Sequence, residues 1–173
     1  MKKTLLALAM ASVSLLSVNN AQADNKSSMK FIGVVQASSC DIDASDLSNI
    51  NMPDVTQKDF SGKGSKSGEQ SFTVKISDCP NTVKHAQIGV TGTADKTDSS
   101  LLAIDAGDSA AKGIAISLSA QGQKLAVNTA KSVPLPVKNG AASFSMTAQY
   151  VATSDEVVSG AVTATAQASI TYM

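Results

Sequence analysis

The 173 residues carry fourteen lysines, no arginine and fourteen Asp/Glu, a formal net charge of zero, so the chain has no basic footprint for a nucleic-acid backbone. One His and two Cys are too few for most structural zinc or iron–sulfur sites, and the length fits a single domain. With 3% aromatic residues and no Trp, a core has to come from Ala, Val, Ile and Leu, and needs a further source of stability.

The chain opens on Lys2 and Lys3, then an apolar stretch from Leu5 to Leu16, then Ala21-Gln22-Ala23. This is the pattern of a secretory signal peptide over residues 1–23, cut between Ala23 and Asp24. Ser12 and Ser14 interrupt the apolar stretch, and it falls short of the ~20 residues that span a bilayer. The product is therefore expected to be exported. Asn25-Lys26-Ser27 matches a glycosylation sequon, but three residues match easily by chance.

Residues 24–39 start with the wholly polar Asp24 to Ser28 and then alternate: Met29, Phe31, Gly33 and Val35 point one way. Export makes Cys40 and Cys79 readable as a disulfide, since an oxidising compartment lets thiols pair. The competing reading, a redox pair or metal ligands, lacks a CxxC and has His85 far from any cluster. Asp41, Asp43 and Asp46 suggest calcium by charge alone. Counting from Asp41, the sixth position is Asp46 where a calcium loop has Gly, so a solvated acidic turn is expected.

Ser61 to Gly68 reads SGKGSKSG, which lacks the spacing of a phosphate-binding loop and reads as a flexible connection. Period-two runs follow. They are Phe72, Val74 and Ile76; Ala86, Ile88 and Val90; Ile114, Ile116 and Leu118; and Phe144, Met146, Ala148 and Tyr150. His85 alternates away from Ala86 and Ile88 and reads as a surface residue. Asp105 to Lys112 could hold a turn of helix at most. Gln121-Gly122-Gln123 and Asn139-Gly140 are turn signals, and Pro134 and Pro136 confine their stretch to an edge strand or an extended connection. The last run, Val162 to Tyr172, is the longest and lies fourteen residues or fewer from the C-terminus, behind Gly160. Short strands with turns between them argue for an all-β antiparallel sandwich. No acid, base or nucleophile set can be named, so the chain reads as a non-enzyme without cofactors or metals.

At the two ends the residues are more specific. FIGVVQASSC (Phe31 to Cys40), ISDC (Ile76 to Cys79), YVAT (Tyr150 to Thr153) and SGAVTATAQASITYM with Gly160 and Tyr172 resemble the pilins of the chaperone–usher pathway, in particular the type 1 fimbrial subunit family. The resemblance implies an incomplete immunoglobulin-like antiparallel β-sandwich, the pilin fold, completed by a donor strand from another chain. It divides the chain into a signal peptide (1–23), a donor-strand extension (24–39) and a pilin domain (40–173). Met29, Phe31, Gly33 and Val35 would be the donor side chains, and Gly160, Val162, Ala164, Ile170 and Tyr172 would belong to the C-terminal strand that a chaperone and the groove use. The implied partners are a periplasmic fimbrial chaperone, an outer-membrane usher and other fimbrial subunits, in a fimbrium that supports adhesion at the cell surface. The alternative is a minor or tip-proximal adaptor or adhesin with its own host-receptor surface, which the lack of Trp and Arg leaves little material to build.

Overall fold

The structure, a computed structural model, describes residues 40–43, 47 and 49–173. The signal sequence, the Ala23/Asp24 junction, the extension with Met29, Phe31, Gly33 and Val35, and Asp46 lie outside the described residues.

Alternation decides which side chains go inward. In β2 (Lys66–Ser77), Val74 and Ile76 are buried while Thr73 and Lys75 face outward. Its partner β8 (Ala142–Ala152) buries Phe144, Met146, Ala148 and Tyr150, and the register sets Val74 opposite Phe144 and Phe72 opposite Met146. β5 (Ile114–Ala120) pairs on the other side of β8, with Ile116 opposite Tyr150 and Leu118 opposite Ala148. Three short strands complete this sheet: β1 (Asp41–Asp43) on β2, and β4 (Leu102–Ala103) and β6 (Gln123–Lys124) on β5. The second sheet has β3 (His85–Gly92) between β7 (Leu135–Pro136) and β9 (Ala166–Tyr172). Every strand pair in both sheets is antiparallel.

The core between the sheets is aliphatic, as the composition demands. Phe144 is its largest fully buried side chain, joined by Ile76, Ile88, Leu125, Met146, Val74 and Val127. Cys40 and Cys79 form a disulfide at its margin, 39 residues apart in sequence. Asn139 takes the left-handed backbone (φ 52°) that a tight hairpin needs, and Lys138 and Ala141 exchange hydrogen bonds across that turn. Pro136 sits on the sheet edge, where a missing N–H breaks no ladder.

Three local expectations change. Asp41 and Asp43 are in a strand and not a solvated turn: the disulfide holds Cys40 beside the end of β2, and Asp41 pairs with Ser77 and Asp43 with Lys75. The end of the SGKGSKSG stretch is also strand, because β2 begins at Lys66. Its register shifts between Ser67 and Gln70, and there Gly68 adopts φ 62° with no room for a Cβ against the Tyr150 ring and Val55. The C-terminal run is regular strand only from Ala166; Ala161 and Val158 bridge instead to Ala110 and Lys112.

The result is an incomplete immunoglobulin-like sandwich. One side of β9 is hydrogen-bonded to β3 from Tyr172–Ala86 to Ala166–Gly92, and its other side has no partner strand among the described residues.

Candidate functional site: an apolar groove beside an open strand edge

An unpaired strand edge is a row of backbone donors and acceptors waiting for another chain. β9 presents that edge directly beside an opening into the core. The cavity there measures about 420 Å³. Its floor comes from inward-facing positions of both sheets: Phe72 and Val74 from β2, Ile116 and Leu118 from β5, Ile88 and Val90 from β3. The same alternation that builds the core therefore builds the groove, because a missing strand leaves core side chains uncovered.

The rim has two parts. Val162, Ala164, Ala166 and Ala168 line one side, so the small residues of the C-terminal run keep the mouth open. Leu47, Ile50 and Met52 line the other, on an irregular segment leading away from β1. Beside them Asn49, Asn51, Gln70, Ser71 and Thr73 form a polar shelf. Among the described residues, no Asp, Glu, Lys or His lines the groove or the shelf.

At the far end of β9, Ile170 and Tyr172 are half-buried against the core. Burial pushes the Tyr172 phenol pKa up, and the nearby Asp41 carboxylate pushes it further. Beyond Tyr172, Met173 exchanges backbone hydrogen bonds with His85 (2.8 Å each way), anchoring the strand terminus.

The structure thus brings Val162, Ala164, Ile170 and Tyr172 to one apolar region, while Gly160 stands apart from it. Gly160 lies against the 109–111 backbone, where the Ala161 N–H donates to the Ser109 carbonyl (2.8 Å) and the Ala111 N–H to the Ala161 carbonyl (2.9 Å). Its place is at the root of the C-terminal segment. His85 is exposed, with its backbone serving the sheet. The rim from Leu47 to Met52 was not legible in the sequence; its only signal is four apolar side chains, Leu47, Ile50, Met52 and Val55, spaced irregularly through a polar stretch.

Comparison with known proteins points the same way. The profile of the family described as "Fimbrial protein" matches residues 29–173. The chain is 29% identical over 163 residues to long polar fimbria protein A of Salmonella typhimurium strain LT2, covering 92% of this chain and 90% of that protein. Among solved structures, a Burkholderia pseudomallei antigen and type I fimbria protein superposes with a TM-score of 0.62 at 32% identity, over 79% of this chain and 91% of that one. The P pilus rod subunit PapA shares the fold, with a TM-score of 0.67 at 19% identity, over 79% of this chain and 100% of that one.

Proposed function

This chain belongs to the fimbrial protein family and is a structural subunit of a bacterial cell-surface fimbria, and on that premise we propose how it is assembled. The extension at residues 24–39 of one subunit fills the groove of another by β-augmentation, with backbone hydrogen bonds to the free edge of β9 and Met29, Phe31, Gly33 and Val35 directed at the apolar floor. Before that exchange the groove is covered in the periplasm by a strand lent by a fimbrial chaperone, and an outer-membrane usher is where one strand replaces the other. The signal peptide is removed between Ala23 and Asp24 on the way.

The observation that carries this reading is the open edge of β9 beside an opening of about 420 Å³ into an aliphatic core. Open edges invite indiscriminate pairing, so a subunit built this way requires an escort until its permanent partner arrives. The C-terminal strand, including Ile170 and Tyr172, is the element the escort pairs with, and Gly160 anchors the segment leading into it against the 109–111 backbone.

The test is refolding of the denatured mature chain with and without a synthetic peptide of residues 24–39. The wild-type peptide should raise the refolded yield and give a complex that survives gel filtration. A peptide with Phe31→Glu should do neither. Equal yields with the two peptides would refute the donor assignment.

A further inference from the structure

We infer that Asn139 is a site of spontaneous covalent modification. Its side-chain amide is lost through a cyclic imide formed with the Gly140 backbone nitrogen, leaving a carboxylate and mostly an isoaspartyl linkage in the turn between β7 and β8. Neither residue lines the groove, so the site does not depend on what fills it.

The chemistry needs only water. The Gly140 N–H gives up its proton, the nitrogen attacks the Asn139 Cγ, and the Cγ–Nδ2 bond breaks with release of ammonia. Water then opens the imide at either of its two carbonyls. Opening one way leaves aspartate in the original backbone. Opening the other leaves isoaspartate, which routes the main chain through Cβ and lengthens it by one carbon. Water is gained and ammonia lost, with no change of oxidation state.

Sequence and structure single out the same pair. Of the chain's asparagines only Asn139 precedes a glycine, and with no Cβ on Gly140 nothing shields its nitrogen or crowds the imide ring. Asn139 is exposed, and positive φ at both residues (52° and 72°) makes them the centre of a primed hairpin turn. Lys138 and Ala141 close that turn with N–H···O bonds of 2.9 and 3.0 Å, and the Gly140 carbonyl accepts the Cys79 N–H at 3.0 Å. The Gly140 N–H and the Asn139 carboxamide are left over, without a hydrogen-bond partner among the described residues. Asn128 is the contrast. Its backbone is also left-handed (φ 65°), but its Oδ1 accepts the Gly92 N–H (3.1 Å) and its Nδ2 donates to the Gly92 carbonyl (2.9 Å). The residue after it is the β-branched Thr129, which crowds ring closure.

The turn has no slack for an added carbon. Gly140 lies against Cys79, so closely that a Cβ on it would meet the Cys79 carbonyl oxygen at 3.3 Å. An isoaspartyl linkage therefore breaks either the Lys138–Ala141 closure or the Cys79–Gly140 bond, next to the Cys40–Cys79 disulfide. It also sets a new carboxylate beside the exposed Lys138. Because the hydrolysis does not reverse, the modified fraction records the age of the subunit at the cell surface.

The experiment holds purified fibres of this subunit in mildly alkaline buffer for weeks and maps their peptides by mass spectrometry. The peptide carrying Asn139 should take on the mass of an acid in place of an amide, with isoaspartate the larger product. It should do so at least about tenfold faster than the peptides carrying Asn81 or Asn128, a barrier lower by ~1.4 kcal/mol. The rate should rise with pH, since the attacking nitrogen must be deprotonated. Hydrogen exchange at the Cys79 and Ala141 amides should become at least about fivefold faster in the aged fibre, as local opening there becomes easier. Asn139→Gly keeps a favoured Gly-Gly turn and removes the reactive amide, so its fibres should hold that protection over the same period. An Asn139 amide that persists, is lost no faster than that of Asn81, or is lost only from the unfolded chain would overturn the site. Equal loss of protection in Asn139→Gly fibres would overturn the effect on Cys79.

Discussion

Gly160 and Ser109 approach so closely that a Cβ on Gly160 would stand 2.6 Å from the Ser109 carbonyl oxygen, inside any tolerable contact. That same oxygen accepts the Ala161 N–H, so the two backbones cannot separate without losing the bond. Gly160→Ala should therefore destabilise the sandwich by about 1–3 kcal/mol, as overpacking against fixed backbone does. Urea unfolding of the disulfide-intact subunit in complex with its partner strand is the measurement. An unchanged midpoint would show that the 109–111 loop yields freely.

The Cys40–Cys79 bond closes a loop with a sequence separation of 39. The chain-entropy account assigns such a loop about 4 kcal/mol. For a core with so few aromatic side chains that is a large share of the ~5–15 kcal/mol typical of a domain. Reduction, or a Cys40→Ser/Cys79→Ser double replacement, should lower the unfolding midpoint sharply. It should also release β1 first, seen as early loss of amide protection at Asp41 to Asp43. Uniform loss of protection across the sandwich would contradict the second part.

Ala168 is exposed on the mouth of the groove, not packed in the core. Ala168→Glu should leave the stability of the isolated fold within about 0.5 kcal/mol, the range of ordinary surface changes. It should nonetheless prevent capture of the 24–39 peptide, because a carboxylate there would be buried without a partner. Normal capture by this variant would mean that the occupant does not reach that part of β9.

Acid should weaken one surface loop before the rest. The Ser100 hydroxyl and N–H both donate to the Asp98 carboxylate, holding its pKa below the ordinary value, and Lys124 lies 3.7 Å away. With the folded pKa lowered, the contribution is complete above the unfolded carboxylate value and is lost as pH falls through the lowered one. Asp98→Asn should flatten the acid limb of the stability–pH curve and leave neutral stability nearly unchanged. A parallel downward shift of the whole curve would point instead to a packing role.

Much of this fold could be read directly from period-two alternation. Phe72, Val74, Ile88, Ile116 and Met146 were placed on apolar strand faces by pattern alone, and all line the core or the groove. What pattern could not give was which of those faces stays uncovered, since a residue under a missing strand has the same periodicity as one under a present strand. Alternation also misreads Ala115, which faces the outside of its sheet yet is fully buried with Leu101 and Val151 in a small second cluster. Asp41 to Asp43 looked like a turn because a short, charged edge strand takes its pairing from a disulfide and not from side-chain propensity. The Leu47–Met52 rim escaped for a related reason: its apolar side chains reach the groove from irregular backbone, where no period exists to detect.

The position of Cys40 has a mechanical consequence. It is the residue at which residues 24–39 give way to β1, and its sulfur is bonded to Cys79 at the junction between β2 and β3. A pull along the chain ahead of Cys40 is therefore not borne by the three ladder positions of β1 alone, which would open one at a time like a zipper. The covalent branch shares the tension with the long β2–β8 ladder, whose paired residues run from Lys66 to Ile76 and resist together in shear. If residues 24–39 couple one subunit to the next as proposed above, the fibre should stretch at those non-covalent couplings while each disulfide-linked sandwich keeps its shape.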